Sequence, residues 1–169
     1  VARLLNLRFR WVDQVGRFYS RADLVQQRAV WKLEGKAVVF TNGCYDLLHP
    51  GHVRLLEQAR GMGDLLILAL NSDASVRRMK GASRPLIAEG ERAEMALALA
   101  AVDAVALFDE DTPRELIAAV VPDILVKGAD WSQFIAGREE VEAAGGRVAT
   151  VALEPGYSTT NIVERILQL

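Results

Sequence analysis

The chain has 169 residues, of which 51% are apolar, and this length and composition suit one domain around a single core. Its formal net charge is −2 and its basic and acidic residues are interspersed, so no basic surface for nucleic acid is expected. The single cysteine excludes an intrachain disulfide and a cysteine-based metal cluster, and it favours a reducing cytoplasm. Every apolar stretch is shorter than the roughly 20 residues that cross a bilayer and no secretory signal pattern opens the chain, so no membrane partner is expected.

The predicted elements begin after an N-terminal stretch without a helical or strand period. Residues 1–19 carry aromatic side chains among charged ones and are interpreted as an extension of a domain that spans residues 20–169. Ser20 suits the N-cap of a first helix, which Gly35 would end. Residues 37–41 are predicted as the first strand.

Strands and helices alternate along the rest of the chain. Apolar runs predict four further strands, at residues 65–70, 104–108, 123–127 and 147–153. Helical patterns and caps predict helices at residues 53–59, 72–79, 91–102, 113–121, 138–144 and 162–169. The alternation predicts an α/β fold with a Rossmann-like, doubly wound parallel sheet of five strands in a single domain. Such sheets bind ligands at the carboxyl ends of their strands.

A polar turn after the first strand carries the main functional signal. In this signature turn, residues 41–52, His49 and His52 flank Pro50 and Gly51. A spacing of three residues places both imidazoles on one side of the first turn of a helix. Pro50 fits that turn without loss of a hydrogen bond, and Gly51 lets a phosphate approach the backbone. Together with the free N–H groups of a helix start, these residues predict a phosphate site.

Other polar residues follow later strands and are expected at the same edge of the sheet. They are Asn71, Lys80, Lys127 with Asp130, and the run Ser158, Thr159 and Thr160. The hydroxyls of that last run also suit ordinary capping of the final helix. Convergence at one sheet edge is what makes these separated residues candidates for a single site.

Structural roles compete with functional ones at several positions. Cys44 is interpreted as a packed thiol rather than a nucleophile, because no Cys/His/Asn arrangement accompanies it. Lys80 and Arg84 suit solvated loop charges as well as phosphate ligands. Arg92, among acidic neighbours, suits a surface salt bridge as well as a triphosphate contact, and Asp46 suits a brace of the signature turn as well as a substrate contact.

Several motifs occur in the order found in a known superfamily. The chain resembles the nucleotidyltransferases with a His-x-Gly-His signature, and most closely the adenylyltransferase domain of bacterial ADP-heptose synthesis. The resemblance extends over about residues 36–166 and rests on residues 40–44, 49–52, 71–76, 126–128 and 158–162. It implies transfer of AMP from ATP to heptose 1-phosphate, which gives an ADP-sugar and pyrophosphate for lipopolysaccharide heptose precursors.

Three residues depart from that family's pattern. Tyr45 stands where Phe is usual, and Ala129 and Trp131 stand where Gly and Tyr are expected. Trp131 is similar to the pattern of the glycerol-phosphate cytidylyltransferases at this position. A cytidylyltransferase acting on glycerol phosphate or a similar polyol phosphate is therefore one alternative. The segment before Ser158 lacks the Arg that cytidylyltransferases carry there, which favours adenine. A non-catalytic nucleotide-binding module is the second alternative.

The resemblance also implies roles for the residues of the motifs. The residues implied in catalysis are His49, His52 and Lys80. Those implied in nucleotide binding are Asn42, Gly43, Cys44, Tyr45, Gly51, Arg92, Lys127, Gly128, Asp130, Gly156, Ser158, Thr159 and Thr160. Those implied in acceptor binding are Asn71, Arg84 and Trp131.

The expected cofactor and partners follow from the same resemblance. Mg²⁺ is expected to enter with ATP and to be held by substrate and water, with no metal ligand from the protein. A homo-oligomer, such as the dimer common in the superfamily, is expected, and a separate sugar kinase would supply the sugar 1-phosphate.

Overall fold

The computed structural model describes residues 16–129, 135–152 and 156–169. Asp130 and Trp131, to which the sequence analysis gives binding roles, lie outside these residues. The described strands form one parallel sheet in the order β1-β4-β3-β2-β5-β6. They are β1 (Arg17–Phe18), β2 (Val38–Gly43), β3 (Leu65–Asn71), β4 (Ala104–Phe108), β5 (Ile124–Gly128) and β6 (Arg147–Val151).

Helices connect the strands and cover both faces of the sheet. They are α1 (Arg21–Leu33), α2 (Pro50–Arg60), α3 (Asp73–Lys80), α4 (Glu89–Leu97), α5 (Arg114–Val120), α6 (Arg138–Ala143) and α7 (Thr159–Leu167). The prediction of an α/β, Rossmann-like, doubly wound sheet is confirmed. None of the helices in the described segments is long and apolar enough to cross a membrane.

The central strand β3 shows why its sequence is almost continuously apolar. Ile67 and Ala69 pack on one face of the sheet with side chains of α1 and α5, while Leu66, Leu68 and Leu70 pack on the other face with side chains of α2 and α4. All five side chains are fully buried. A strand covered on both faces cannot alternate apolar with polar residues, so its run of leucines follows from its place in the middle of the sheet.

The sheet has one strand more than the five predicted. Arg17 and Phe18 pair in parallel with Ala104 and Val105 of β4, within the stretch that the sequence analysis interprets as an extension. A strand of two residues is too short for a period of two to be recognised. The sheet therefore begins before residue 20.

Two other element boundaries differ in ways that affect the site. β2 continues to Gly43, two residues beyond its predicted end, so Asn42 belongs to the strand. α4 ends at Leu97 instead of residue 102, and the apolar residues that follow form turns closed by hydrogen bonds such as that from the Val102 N–H to the Leu99 carbonyl. An apolar run alone could not distinguish these turns from a further helical turn.

Candidate functional site

The signature turn connects β2 to α2 and places its two histidines against each other. His49 is the N-cap of α2, and its Nδ1 accepts a hydrogen bond of 3.3 Å from the His52 backbone N–H. Pro50 is the first helical residue, as predicted. The two imidazole rings stack with their centroids 3.7 Å apart. Because Nδ1 of His49 is an acceptor here, its Nε2 carries the proton and can donate to a ligand.

Burial keeps both imidazoles neutral near pH 7. Burial lowers the pKa of His49 from its ordinary value. Burial also lowers the pKa of His52, to about 4, and the positive charges of protonated His49 and of Lys80 act in the same direction. The Leu47 carbonyl opposes the shift at His52 but does not reverse it. Neutral rings can stack closely without repulsion, and each retains one N–H donor.

The histidine pair is enclosed by two tyrosines. The ring of Tyr45, which is buried, lies 4.6 Å from that of His52, and the ring of Tyr157 lies 6.2 Å from that of His49. The guanidinium of Arg54 lies 5.6 Å from the centroid of the Tyr157 ring. Four aromatic rings thus run from the core to the surface, where Tyr157 is 42% exposed.

Tyr157 is a site residue that the sequence analysis missed. The position between Gly156 and the cap of α7 was a weak signal, because an aromatic side chain there suits any loop. Its partner Gly51 shows how closely the segments approach: a Cβ at Gly51 would lie 3.0 Å from Cβ of Tyr157 and 3.1 Å from Nδ1 of His49. The structure thus gives a second reason for glycine at position 51, beside the approach of a phosphate that the sequence predicts: Tyr157 and His49 leave no room for a side chain.

A cavity of ≈ 390 Å³ opens at the carboxyl ends of the strands. Most residues predicted for the site line it: Asn42, Gly43, Cys44, Tyr45, His49, Gly51, His52, Asn71, Lys80, Lys127, Gly128, Ser158, Thr159 and Thr160. Further lining residues include Thr41, Asp46, Thr112 and Tyr157. Gly156, with φ of +85°, is not among them, but it leads into the Ser158 helix start.

The Ser158 helix start is joined to the signature turn. Ser158 caps α7 and accepts a hydrogen bond of 3.0 Å from the Asn161 N–H. The hydroxyl of Thr159 donates to the Leu47 carbonyl over 3.4 Å. Two helix N-termini, those of α2 and α7, therefore present their free N–H groups to one cavity, which favours an anionic ligand.

Two lysines at the cavity differ in their surroundings. Lys80 is the last residue of α3 and is exposed, and its charge lowers the pKa of His52. Lys127, on β5, donates to Oδ1 of Asn42 on β2. Both cations lie where a polyphosphate would need neutralising charge.

Cys44 is a packed thiol. Its Sγ contacts Oδ1 of Asn71 at 3.9 Å. Burial raises the pKa of the thiol, although the charges of Lys80 and Arg92 act in the opposite direction. A neutral thiol is a poor nucleophile, so the geometry agrees with the packing interpretation.

Arg92 lies beneath the cavity, which corrects the surface salt bridge considered for it. Its side chain is 0% exposed and is not among those that line the cavity, so it makes no surface salt bridge. Its guanidinium donates to the carbonyls of Ile87, Cys44 and Asn71 at 3.0, 2.6 and 2.8 Å and to Asp73 at 2.8 Å. Helical spacing with acidic neighbours suggested a surface position, and only the tertiary fold reveals the burial.

Arg84, for which a role at the acceptor is predicted, is paired within the protein. It pairs with Asp46, and its side chain is 12% exposed. Asp46 also accepts from the N–H groups of Leu86 and Ile87 at 2.7 and 3.0 Å. Burial alone would raise the pKa of Asp46, but the hydrogen bonds from Ile87, Arg84 and Leu86 together hold it below its ordinary value. Asp46 is therefore a brace of the signature turn.

The donor set does not suit a metal held by protein ligands alone. Within the described segments, no group of three or more His, Cys, Asp or Glu side chains is arranged around a common point. Among the described residues that line the cavity, Asp46 is the one with a carboxylate. Its oxygens already accept three hydrogen bonds. A divalent ion at this site would have to bring most of its oxygen ligands with the substrate.

The sheet and the cavity define an α/β domain with a polar cavity at the carboxyl ends of its strands, next to two helix starts. Residues 40–165 match the cytidylyltransferase-like family, and the chain belongs to that family. The superfamily resemblance stated from the motifs is thereby confirmed.

Two relatives are identical to this chain at more than half of the aligned positions. The chain is 60% identical over 148 residues to the bifunctional protein HldE of Syntrophotalea carbinolica, a match that covers 87% of the chain and 30% of that protein. It is 52% identical over 147 residues to HldE of Koribacter versatilis, with 86% and 30% covered. The chain thus spans about 30% of the length of these relatives.

Among solved structures, a lipopolysaccharide core biosynthesis protein from Thermoplasma volcanium is 28% identical, with a TM-score of 0.58, and the match covers 71% of this chain and 98% of that one. A pantoate–β-alanine ligase from Francisella tularensis is 12% identical, with a TM-score of 0.61 and coverage of 91% and 78%. The second likeness concerns the fold alone.

Proposed function

We propose that this domain is an adenylyltransferase that transfers AMP from ATP to heptose 1-phosphate and releases pyrophosphate. The observation that carries the proposal is the convergence of the stacked imidazoles, Lys80 and the Ser158 helix start on one cavity. Membership of the cytidylyltransferase-like family and the likeness to HldE support the reaction class. The lipopolysaccharide core biosynthesis protein of T. volcanium supports a role in heptose precursors of lipopolysaccharide.

The chemistry requires charge stabilisation more than proton transfer. An oxygen of the acceptor phosphate attacks the α-phosphorus of ATP in line, the bond to the β-phosphate oxygen breaks, and pyrophosphate leaves. The nucleophile is already ionised, so no strong base is needed. This agrees with imidazoles that are neutral N–H donors: His49, through Nε2, and His52 would hydrogen-bond to phosphate oxygens as charge moves to the leaving group.

The cations and the helix starts complete the stabilisation. Lys80, exposed at the end of α3, can move onto the pyrophosphate oxygens. The N–H groups at the start of α7 would bind phosphate oxygens from the other side of the cavity. Mg²⁺ bound with ATP would spread the negative charge of the phosphates, and the protein would hold it through the substrate.

A cytidylyltransferase acting on a polyol phosphate is the alternative, and Trp131 is the residue that suggests it. The two activities differ in the base and the acceptor and share the phosphate machinery. Pyrophosphate release should be measured with ATP and with CTP, each against heptose 1-phosphate, hexose 1-phosphates and glycerol phosphate.

The proposal expects turnover with ATP and heptose 1-phosphate. Turnover confined to hexose 1-phosphates contradicts the heptose assignment, and turnover confined to CTP and glycerol phosphate establishes the alternative. Nucleotide binding without product from any acceptor indicates a non-catalytic module.

We also propose that a second copy of the chain covers α7. None of the nine residues of this helix is buried, and Ile166 and Leu167 are 58% and 80% exposed. An isolated helix of this length is marginal in water, yet its first turn supplies Ser158 and Thr159 to the cavity. Light scattering should show a dimer that Leu167→Glu dissociates and the polar control Gln168→Glu leaves intact; a monomeric wild type contradicts the proposal.

The remaining partners belong to the same proposal. A sugar kinase would supply the sugar 1-phosphate, because that phosphate has to be transferred to the sugar before adenylylation. The cytoplasm is the proposed compartment, since it supplies ATP and keeps Cys44 reduced.

A further inference from the structure

Arg92 joins segments that carry the separate parts of the site. It lies in α4, and its guanidinium is hidden from solvent. The Cys44 carbonyl that it binds belongs to the signature turn, five residues before His49. The Asn71 carbonyl ends β3, and Asp73 begins α3, the helix that Lys80 ends. One side chain thus contacts the supports of both the histidines and the lysine.

A second contact fixes the loop between α3 and α4. Nε of Arg92 donates to the Ile87 carbonyl at 3.0 Å, while the Ile87 N–H donates to Asp46 of the signature turn at 3.0 Å. The carboxylate of Asp46 therefore holds the backbone N–H of Ile87, and the guanidinium of Arg92 holds the Ile87 carbonyl. These two contacts fix the loop to the signature turn. Arg92 has no freedom to swing towards the cavity without releasing these groups.

The geometry needs a guanidinium. Its planar fork carries five N–H groups in fixed directions, so it can reach acceptors on several segments at once. A lysine ammonium keeps the charge but donates from one nitrogen, so it would leave some of the buried carbonyls without a partner. The substitution Arg92→Lys therefore removes the planar shape of the guanidinium while it keeps the positive charge.

We propose that Arg92 is a positioning residue for the transfer reaction: it sets the placement of the His49 and His52 turn relative to the helix that carries Lys80, without touching the nucleotide. This inference rests on the proposed nucleotidyl transfer. Displacement of reacting groups by about 1 Å can reduce the rate on the order of 10²-fold. Loss of the fork should consequently lower kcat while ATP still binds.

The chain offers a matched control in Arg28. This arginine is also buried, at 6% exposure, donates to the Val121 carbonyl at 3.3 Å and pairs with Asp123 at 2.9 Å. Asp123 lies just before β5, at the amino end of the strand and away from the cavity. Arg28→Lys therefore removes a comparable buried fork without affecting the supports of the site.

Kinetics provide the first test, with Arg92→Lys and Arg28→Lys measured below both melting temperatures. For Arg92→Lys we expect kcat and kcat/KM to fall together, on the order of 10²-fold, with the KM for ATP nearly unchanged. For Arg28→Lys both constants should match the wild type. A kcat for Arg92→Lys close to that of the wild type, an equal loss of kcat in both variants, or an effect confined to the KM for ATP each overturns the inference.

The histidines provide a readout that does not depend on activity. The chain contains two histidines, so the imidazole NMR signals report on His49 and His52 alone. Arg92→Lys should shift both signals and the pKa values obtained from them, and Arg28→Lys should leave them in place. Unchanged signals in Arg92→Lys overturn the positioning role, whereas a wild type that turns over no acceptor contradicts the proposed function alone.

A milder variant covers the case in which Arg92→Lys does not fold. Asp73→Asn removes the carboxylate partner of Arg92, at a side chain that is 21% exposed, and leaves the guanidinium in place. We expect a smaller loss of kcat in the same direction, with the imidazole signals displaced. Wild-type kinetics together with wild-type signals in Asp73→Asn overturn the inference.

Discussion

Acid should destabilise this protein through His52 before most carboxylates titrate. Its folded-state pKa is about 4, against an ordinary value of 6.5, so the unfolded chain binds the proton more tightly than the folded one. Stability therefore rises with pH between about 4 and 6.5 and is lost as the pH falls through that window. From pH 7 to pH 5 this residue alone should lower the free energy of unfolding by about 2 kcal/mol.

The prediction is tested by urea unfolding of the wild type and of His52→Gln at both pH values. The variant lacks the imidazole and keeps every other titrating group, so the difference between the two proteins isolates His52. We expect acidification to destabilise the variant by about 2 kcal/mol less than the wild type. An equal acid sensitivity of the two proteins would refute the argument from burial.

Four further substitutions test the site. His49→Ala and His52→Ala should each lower turnover on the order of 10²- to 10³-fold with the fold retained, measured as pyrophosphate release with circular dichroism as the control; near-normal transfer by either variant contradicts the assignment. Gly51→Ala brings a Cβ to 3.1 Å from the His49 ring, so kcat should fall while the melting temperature changes little. Asp46→Asn removes the partner of the buried Arg84 and should cost about 3 kcal/mol in urea unfolding; a loss under about 1 kcal/mol would show that the pair is exposed to solvent.

Local signals in the sequence predict most of the architecture. Ser20 caps α1 at the predicted place, and Ser158 caps α7 from within the run predicted to cap it, each through a side chain that accepts from the backbone N–H three residues on. Capping is a contact between near neighbours, so the residue types alone indicate it. The buried run of β3 is equally local, because apolar residues on both faces need no knowledge of partners.

The unpredicted features depend on distant contacts. Arg92 could not be assigned, because charged residues are mostly exposed and its acceptors lie up to 48 residues away. The ring of Tyr157 stacks with that of His49, a residue far from it in the sequence. His49 as an N-cap was also missed, since Ser, Thr, Asp and Asn are the usual caps. The sequence thus indicated most of the residues that line the cavity but not those that support them.

The short strand β1 affects whether molecules of this protein can pair with one another at the edge of the sheet. The N–H groups of Arg17 and Tyr19 bond to the carbonyls of Asp103 and Val105 at 3.0 and 2.9 Å, so β1 occupies the hydrogen-bonding edge of β4. Within the part of the chain that the structure describes, this border strand has two residues and offers little backbone for a neighbouring chain to pair with. A protein shortened to begin at residue 20 would expose Ala104 and Val105 along with the rest of the edge of β4, and it should aggregate by edge-to-edge pairing.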